Sequence, residues 1–426
     1  MAITRSKEHA GTERPTGNVR QRVRTGSALL LTLVVVGAGL LTVPRAAGAV
    51  APTGAVYAWF DDDAGQYCNG TITVPGSNHD SSNPVPTLLP ASTAVAAGQS
   101  HTMAVTSTGG VDSCGFNGRG QLGNGTTTNS FTPVAASLPP GVVATQVAAG
   151  WDSSLALTST GALYSWGRNT FGEVGDGTTK QRTSPVLVHL PTGTVVTAIA
   201  AGQYFDLAVT STGAVFAWGY NGFGQLGDGT TTQRPLPVQV HLPTGVKGKS
   251  VGCGDNHGLV VTNKGVVYAF GKNTFGQLGN GNTNLRTLPI KVLLPTGVVA
   301  TQVAAGGISP TAKVAEGDYS LAVTSTGAVY AWGANAQGQL GDGTTTGSDV
   351  PVRTQLPTGA VATQVGAGPN YGHALIADGN VDVWGSKANG KDQHLLPTPV
   401  VLPTGLHGAV VSAGPDGEQI AGIFVP

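Results

Sequence analysis

Charged residues are scarce in this sequence, because Asp, Glu, Lys and Arg together make up only 10% of its 426 residues. The first 49 residues carry seven of the 22 basic and two of the 22 acidic residues, so residues 50–426 hold 15 basic and 20 acidic ones, a formal net charge of −5. A protein that binds nucleic acid neutralises phosphates with a basic surface. The shortage of Lys and Arg therefore argues against a nucleic-acid ligand.

The sequence also lacks the residue sets of common catalytic and metal sites. No Ser/His/Asp set, pair of catalytic carboxylates, phosphate-binding loop or Cys/His metal spacing stands out from the rest of the chain. Each of these sets is what its chemistry requires in one place. We therefore predict that the protein is not an enzyme and that it holds no metal and no cofactor.

What the sequence contains instead is one unit repeated in series, most clearly residues 199–245, IAAGQYFDLAVTSTGAVFAWGYNGFGQLGDGTTTQRPLPVQVHLPTG. Short apolar runs separated by glycine-rich turns predict four strands per unit, at residues 199–202, 207–210, 214–219 and 237–241. The first of these strands has small side chains except for Ile199. Small side chains suit strands crowded around a common axis, so we expect this strand to be innermost.

Two series of glycines count the units and show how the ends of the chain meet. The small-residue strand ends in glycine seven times, with spacings of 52, 52, 52, 52, 62 and 46 residues: Gly98, Gly150, Gly202, Gly254, Gly306, Gly368 and Gly414. The hairpin glycine also occurs seven times, but its series starts earlier, at Gly54. The first unit thus lacks its first two strands, and residues 410–426 supply two strands without the last two. This offset predicts an all-β ring of seven four-stranded blades, closed because the N- and C-terminal strands share one blade.

The strings GYNGFGQLGDG, GKNTFGQLGNG and GANAQGQLGDG, each preceded by AWG or AFG and by LAVTSTG or a variant of it, closely resemble the regulator of chromosome condensation repeat. The resemblance covers residues 50–426 and implies a seven-bladed β-propeller. The sequence departs from the repeat pattern at Cys114 and Phe270, where other units have tryptophan. It also departs at residues 386–396, which lack the GQLG turn. The tryptophans that recur once per unit are predicted to pack between blades.

The family includes exchange factors for small GTPases, chromatin-bound proteins and exported bacterial propellers, and the fold alone does not choose among them. The N-terminal segment favours export. Three arginines precede the apolar run 25–43, and Ala47-Gly48-Ala49 then matches a signal-peptidase site. We expect residues 1–49 to be a signal peptide and residues 50–426 to form the secreted propeller, with an uncleaved membrane anchor as the alternative.

The loops after the small-residue strand vary most between units and should surround one mouth of the central channel. Aromatic and acidic residues on such loops are typical of a protein- or glycan-binding surface. For one equivalent position, which includes His101, Phe205, His257 and Tyr319, packing between blades is the favoured alternative. Lys313 lies in a ten-residue insertion, residues 307–316, at the same mouth. The predicted partner contacts are Trp151, Asp152, Tyr204, Phe205, Asp255, His257, Lys313, Asp318, Tyr319, Asn370 and Tyr371.

These observations predict a monomeric, exported, non-catalytic scaffold that binds a protein or a glycan. Two alternatives remain open: nucleotide exchange on a small GTPase, and a propeller hydrolase or lyase using His101, His257 and His373 at the channel mouth.

Two of the three cysteines depart from the repeat in units that should be neighbours. Cys68 replaces a glycine of GQLGDG, and Cys114 replaces a tryptophan. We predict a disulfide between them, provided that their Cα atoms lie within about 7 Å. Cys253, which replaces an alanine of the small-residue strand, is then the odd thiol, buried near the axis.

Overall fold

A computed structural model describes residues 53–60, 62–71, 81–307, 317–386, 393–414 and 419–426. The regular elements in these ranges are all β-strands, in seven antiparallel sheets of four strands. The described residues include no helix long and apolar enough to cross a membrane. The predicted signal peptide, residues 1–49, and Lys313 lie outside the described ranges.

The strands follow the chain from blade to blade, apart from the first two. These are β1 (Ala55–Phe60) and β2 (Ser81–Pro86). Blade 1 contains β3 (Ser92–Ala97), β4 (His101–Thr106), β5 (Val111–Gly115) and β6 (Ser130–Ala135). Blade 2 contains β7 (Ala144–Ala149), β8 (Ser153–Thr158), β9 (Leu163–Gly167) and β10 (Arg182–Leu187). Blade 3 contains β11 (Val196–Ala201), β12 (Phe205–Thr210), β13 (Val215–Gly219) and β14 (Arg234–Gln239).

The remaining blades repeat this order. Blade 4 contains β15 (Gly248–Cys253), β16 (His257–Thr262), β17 (Val267–Gly271) and β18 (Arg286–Lys291). Blade 5 contains β19 (Ala300–Gly306), β20 (Tyr319–Thr324), β21 (Val329–Gly333) and β22 (Ser348–Arg353). Blade 6 contains β23 (Ala362–Ala367), β24 (Tyr371–Ile376), β25 (Val381–Gly385) and β26 (His394–Pro399). The last strands are β27 (His407–Ala413) and β28 (Gln419–Val425).

Blade 7 is built from both ends of the chain, in the strand order β2-β1-β28-β27. β1 pairs with β28 along its whole length, from Ala55 opposite Phe424 to Phe60 opposite Gln419. The N-terminal strands are therefore the outer half of a blade whose inner half is C-terminal. The seven-bladed ring and its closure are confirmed.

The small-residue strand is the innermost strand of every blade. Residues from all seven of these strands line one axial cavity. Its volume is only about 50 Å³. Cys253 on β15 is one of the lining residues and is buried as a free thiol. Among the described residues no strand pairs with the outer edge of a blade, and each outermost strand has proline at its fourth position. Proline cannot donate to a further strand, so these edges resist pairing with another chain.

Seven apolar clusters hold the ring together, and each joins two neighbouring blades. A buried tryptophan on the third strand reaches the GQLG turn of the preceding blade. Trp166 Nε1 donates to the carbonyl of Gln121, and Trp332 Nε1 donates to that of Gln277, both at 2.8 Å. These contacts place the tryptophans between neighbouring blades, as the sequence predicted.

Cys68 and Cys114 meet where blade 7 packs on blade 1. They form a disulfide, with Cα atoms 5.5 Å apart. In an ordinary blade pair a side chain cannot replace this glycine, because a Cβ on Gly123 would lie 2.6 Å from Nε1 of Trp166. Where Cys114 replaces the tryptophan, that space is open, and Cys68 occupies it. The two substitutions are therefore sterically linked.

Candidate partner-binding face

Blades 1–4 each present two loops at the same end, because the first and second strands, and likewise the third and fourth, are antiparallel neighbours. We call this end the loop face. In blade 3 the two loops touch: the Tyr220 N–H donates to the Tyr204 carbonyl at 2.8 Å. The corresponding bonds join Arg168 to Asp152 and Lys272 to Asn256. In each of these blades the residue after the third strand is therefore held beside the loop that follows the first strand.

Four of the predicted contact residues occupy the equivalent position at the start of the second strand, and their side chains are buried between blades. Phe205, His257 and Tyr319 have no exposed surface, and Tyr371 is 3% exposed. The Tyr319 hydroxyl donates to the carbonyl of Tyr371, and the Tyr371 hydroxyl donates to that of Gln419. Because this position points into the blade junction, these residues cannot contact a partner in this structure. The packing alternative accounts for them.

The polar residues of the predicted set also lie below the surface. Asp152, Asp255, Asp318 and Asn370 are all at most 8% exposed. Asp152 and Asp318 accept hydrogen bonds at 2.8 Å from Gln121 and Gln277 of the preceding blades. Asp152 and Asp318 thus join loops of neighbouring blades, and the low exposure of all four residues argues against a direct contact with a partner.

Trp151 and Tyr204 do lie at the surface, and they belong to a larger aromatic group. Their ring centroids are 4.9 Å apart, and Phe171 lies 5.3 Å from Tyr204. Tyr220 continues the group at 4.9 Å from Phe171, and Phe223 lies 6.3 Å beyond Tyr220. All five rings are half-buried. We call these residues, Trp151, Tyr204, Phe171, Tyr220 and Phe223, the aromatic arc; it runs across blades 2 and 3.

Two cations border the aromatic arc. The Arg168 guanidinium lies 4.6 Å from the ring centre of Tyr204 and within 6 Å of those of Trp151 and Phe171. Lys272 Nζ lies 5.9 Å from the ring centre of Phe223. Such cation–π contacts hold long side chains in place over aromatic rings.

Buried carboxylates lie beneath both cations. Arg168 is 3.5 Å from Glu173 and 3.8 Å from Asp152, and Lys272 is 3.3 Å from Asp318. Burial raises the pKa of each of the three carboxyls, since the charged form loses its water shell. The nearby cations act against this shift. The arc therefore rests on a layer of paired charges rather than on an apolar core.

The sequence prediction missed most of this group because the G-x-N-x-x-G stretch was interpreted only as a turn. The first and third of its three variable positions are partly or largely exposed in blades 1–4. The position after the third strand is large in blades 1–4 and small in blades 5 and 6: Phe116, Arg168, Tyr220, Lys272, Ala334 and Ser386. The third variable position is aromatic in blades 2–4, at Phe171, Phe223 and Phe275. Comparison of the copies position by position could have revealed the asymmetry.

The histidines proposed for a hydrolase do not line the channel mouth. His101 and His257 are fully buried and hydrogen-bond through Nε2 to Ser154 and Ser320. His373 is 1% exposed. Burial lowers their pKa values to about 4, about 3 and about 4. In this structure none of them can reach a polymer substrate, so this hypothesis loses the residues on which it depended.

Comparison with known proteins gives consistent matches. A family model for an RCC1-like domain matches residues 33–317, and one for the regulator of chromosome condensation (RCC1) repeat matches residues 326–375. The ultraviolet-B receptor UVR8 of Arabidopsis thaliana is 32% identical over 298 residues, which are 70% of this chain and 66% of the receptor. The E3 ubiquitin-protein ligase HERC2 of Homo sapiens is 33% identical over 280 residues, 65% of this chain but only 6% of the ligase. The matches thus span less than two thirds of these relatives.

Solved structures share the fold at lower identity. Human WBSCR16 superimposes with a TM-score of 0.75 at 21% identity, covering 87% of this chain and all of that one. Prp20p of Saccharomyces cerevisiae, a protein with binding properties to Gsp1p and histones, gives the same TM-score at 24% identity. That match covers 88% of this chain and 92% of Prp20p. These likenesses concern the architecture of the ring.

Proposed function

Because this chain belongs to the family of RCC1-like propellers, we propose that it is an exported, non-catalytic scaffold that binds a protein partner through the aromatic arc. The observation that carries the proposal is the contact of Trp151, Tyr204 and Arg168 at the loop face. Trp, Tyr and Arg are the residues most often found at the energetic centre of protein interfaces. The aromatic arc and the Arg168 side chain that borders it bring all three residue types together in one patch on the blades.

A protein ligand fits the arc better than a glycan. Stacking of a flat sugar ring needs an open aromatic face, whereas the Arg168 guanidinium already covers Tyr204 and approaches Trp151 and Phe171. The rings also meet one another at angles of 39° to 86°. Side chains of a protein can pack into such an uneven surface, with contacts to ring edges as well as faces.

The partner is to be sought outside the cell if residues 1–49 direct export. The support for export is the basic start, the apolar run 25–43 and the small residues at Ala47 and Ala49. Intact-mass measurement of the protein from culture medium should give a chain that begins at Val50. A secreted product that retains Arg45 would contradict the proposed cleavage.

The proposal is tested by affinity capture with residues 50–426 immobilised and exposed to the culture medium of the producing cells. The test variant carries Tyr204→Ala and Tyr220→Ala. The matched control carries Lys264→Ala, since Lys264 is exposed on the hairpin turn at the opposite end of blade 4. We expect a protein that is retained by the wild type and by the control and lost from the test variant. Proteins retained equally by all three would contradict the role of the arc.

Nucleotide exchange is the alternative that this experiment can also detect. If the captured protein is a small GTPase whose nucleotide release the propeller accelerates, exchange replaces the scaffold function. Recovery of the protein from the cytosol with Met1 intact would point the same way.

A further inference from the structure

We propose that the partner presents an acidic side chain to Arg168, beside an apolar side chain that packs on Tyr220 and Phe223. This inference rests on the proposed function, because it names the chemistry that the aromatic arc recognises. It follows from three observations on the described residues: the unused donors of Arg168, the order of charges from surface to interior, and the asymmetry of the ring.

The Arg168 guanidinium is held in place without using its hydrogen-bond donors. Its Nε is buried and has no hydrogen-bond partner in the described part of the chain. Its ion pairs with Glu173 and Asp152, at 3.5 and 3.8 Å, are longer than the hydrogen bonds of charged groups. The contact with the Tyr204 ring, 4.6 Å from the guanidinium carbon, restrains the position of the guanidinium. The terminal N–H groups of this partly exposed side chain, rather than its buried Nε, are the donors that can meet the two oxygens of a carboxylate.

The charges that a partner meets on the arc are positive. The side chains of Arg168 and Lys272 are 19% and 17% exposed, whereas those of Glu173 and Asp318 are 1% and 0% exposed. Arg119, exposed in blade 1, lies close enough to lower the pKa of Asp152 against the effect of burial. The acidic groups thus lie beneath the cations, where burial weakens their ionisation. An acidic partner approaches the cations first.

The apolar part of the partner can pack on the rings that lie between the two cations. Tyr220 lies between the two cations, with Phe171 at 4.9 Å on one side and Phe223 at 6.3 Å on the other. In blades 5 and 6 the position of Tyr220 is taken by Ala334 and Ser386. The aromatic surface therefore runs across blades 2 and 3 and reaches Phe275 of blade 4, whose ring centre lies 5.7 Å from Lys272 Nζ. This arrangement suits a segment with an acidic residue next to an aromatic or aliphatic one.

A phage-displayed library of random peptides, selected on immobilised residues 50–426, tests this inference. Peptides that depend on the arc are those whose binding is lost with Tyr220→Ala. We expect them to be enriched in Asp or Glu next to apolar residues. Their affinity, measured by calorimetry, should fall about tenfold with Arg168→Met and should weaken with added salt. Lys264→Met is the matched control and should leave the affinity unchanged.

A second variant separates recognition from folding. Arg168→Lys keeps a cation above Glu173 and Asp152 but lacks the planar pair of donors, so affinity should still fall while the melting temperature is kept. Arc-dependent peptides that are basic or uncharged, or that bind Arg168→Met as well as the wild type, would overturn the inference and leave the binding surface itself intact. Failure to select any peptide that depends on Tyr220 would instead count against the proposed surface.

Discussion

The guanidinium carbon of Arg168 lies 4.6 Å from the ring centre of Tyr204, although the two residues belong to neighbouring blades. Arg168 follows the third strand of blade 2, and Tyr204 follows the first strand of blade 3. The binding surface that we propose is therefore built across a blade junction. Its geometry depends on how the two blades pack.

We expect this contact to stabilise the junction. In a double-mutant cycle with Arg168→Met and Tyr204→Ala, the coupling in the free energy of unfolding should be about 0.5–1 kcal/mol. Urea unfolding of the four proteins measures it. Pairing Arg168→Met with Tyr330→Ala, a substitution in blade 5, is the control and should give additive effects. A coupling near zero for Arg168 and Tyr204 would show that the stacked geometry does not persist in solution.

Asp206 is expected to weaken the fold. It is fully buried, and its carboxylate makes no hydrogen bond of normal geometry in the described part of the chain, because the nearby Trp218 indole donates to the Glu173 carbonyl instead. At the equivalent position Ser154 and Ser320 each donate at 2.8 Å to the carbonyl that the neighbouring tryptophan also contacts. Asp206→Ser should therefore raise the free energy of unfolding by about 1–3 kcal/mol.

The pH dependence of this effect has a definite sign. Burial raises the pKa of Asp206 well above 3.8 in the folded protein, so the folded chain holds a proton that the unfolded chain has released. Asp206 therefore destabilises the wild type increasingly as pH rises from 3.8 towards the folded pKa. Urea unfolding at several pH values should show this loss in the wild type and not in Asp206→Ser or Asp206→Asn. Parallel pH profiles for the three proteins would contradict the expectation.

His373 should respond to pH in the opposite direction. It occupies the position of Leu155, Leu207 and Leu259 in other blades. Burial lowers its pKa from 6.5 to about 4, so stability is lost as pH falls from 6.5 towards 4. His373→Leu should remove about 2 kcal/mol of this loss at about pH 5. His407→Leu, a change at an exposed histidine on β27, is the control and should leave the acid unfolding midpoint in place.

A coupled substitution gives an independent check on His373. A Cβ on Gly366 would lie 2.2 Å from the His373 ring. Gly366→Ala alone should therefore destabilise the protein, whereas Gly366→Ala together with His373→Leu should fold normally. Equal melting temperatures for Gly366→Ala in both backgrounds would mean that the histidine does not occupy the position described.

The bond between Cys68 and Cys114 predicts one reactive thiol in the denatured, non-reduced protein. Alkylation followed by mass measurement counts the thiols, and three would eliminate the bond. The residues are 46 positions apart, so replacing both with serine should cost about 4 kcal/mol by the loop-entropy argument. Cys253→Ala, which restores the alanine of the other blades, should retain the wild-type stability.

The ring could be predicted from the sequence because its determinants repeat. Seven copies of the glycine pattern set the number of blades, and the offset that starts at Gly54 set the closure. The inner position of the small-residue strand followed from its side chains, and the axial cavity lined by Ala200 and Ala201 confirms it.

The surface could not be predicted in the same way, because it depends on which side of a strand each residue faces. Tyr204 and Phe205 are adjacent in sequence, but Tyr204 is half-buried at the loop face and Phe205 is fully buried in the blade junction. A shift of one residue separates a contact from a core position. Arg168 and Tyr220 lie in a glycine-rich stretch that was interpreted only as a turn. Its non-glycine side chains form part of the proposed binding surface.

Site-specific photo-crosslinking from position 220 tests the central claim most directly. Tyr220 is replaced by p-benzoylphenylalanine, and the protein is irradiated in the culture medium of the producing cells. A second protein carries the same amino acid at position 264, on the hairpin turn of blade 4 that lies at the end opposite the loop face. We predict a crosslinked protein partner from position 220 and none from position 264. The absence of a crosslink from position 220, or the same product from both positions, would contradict binding at the aromatic arc.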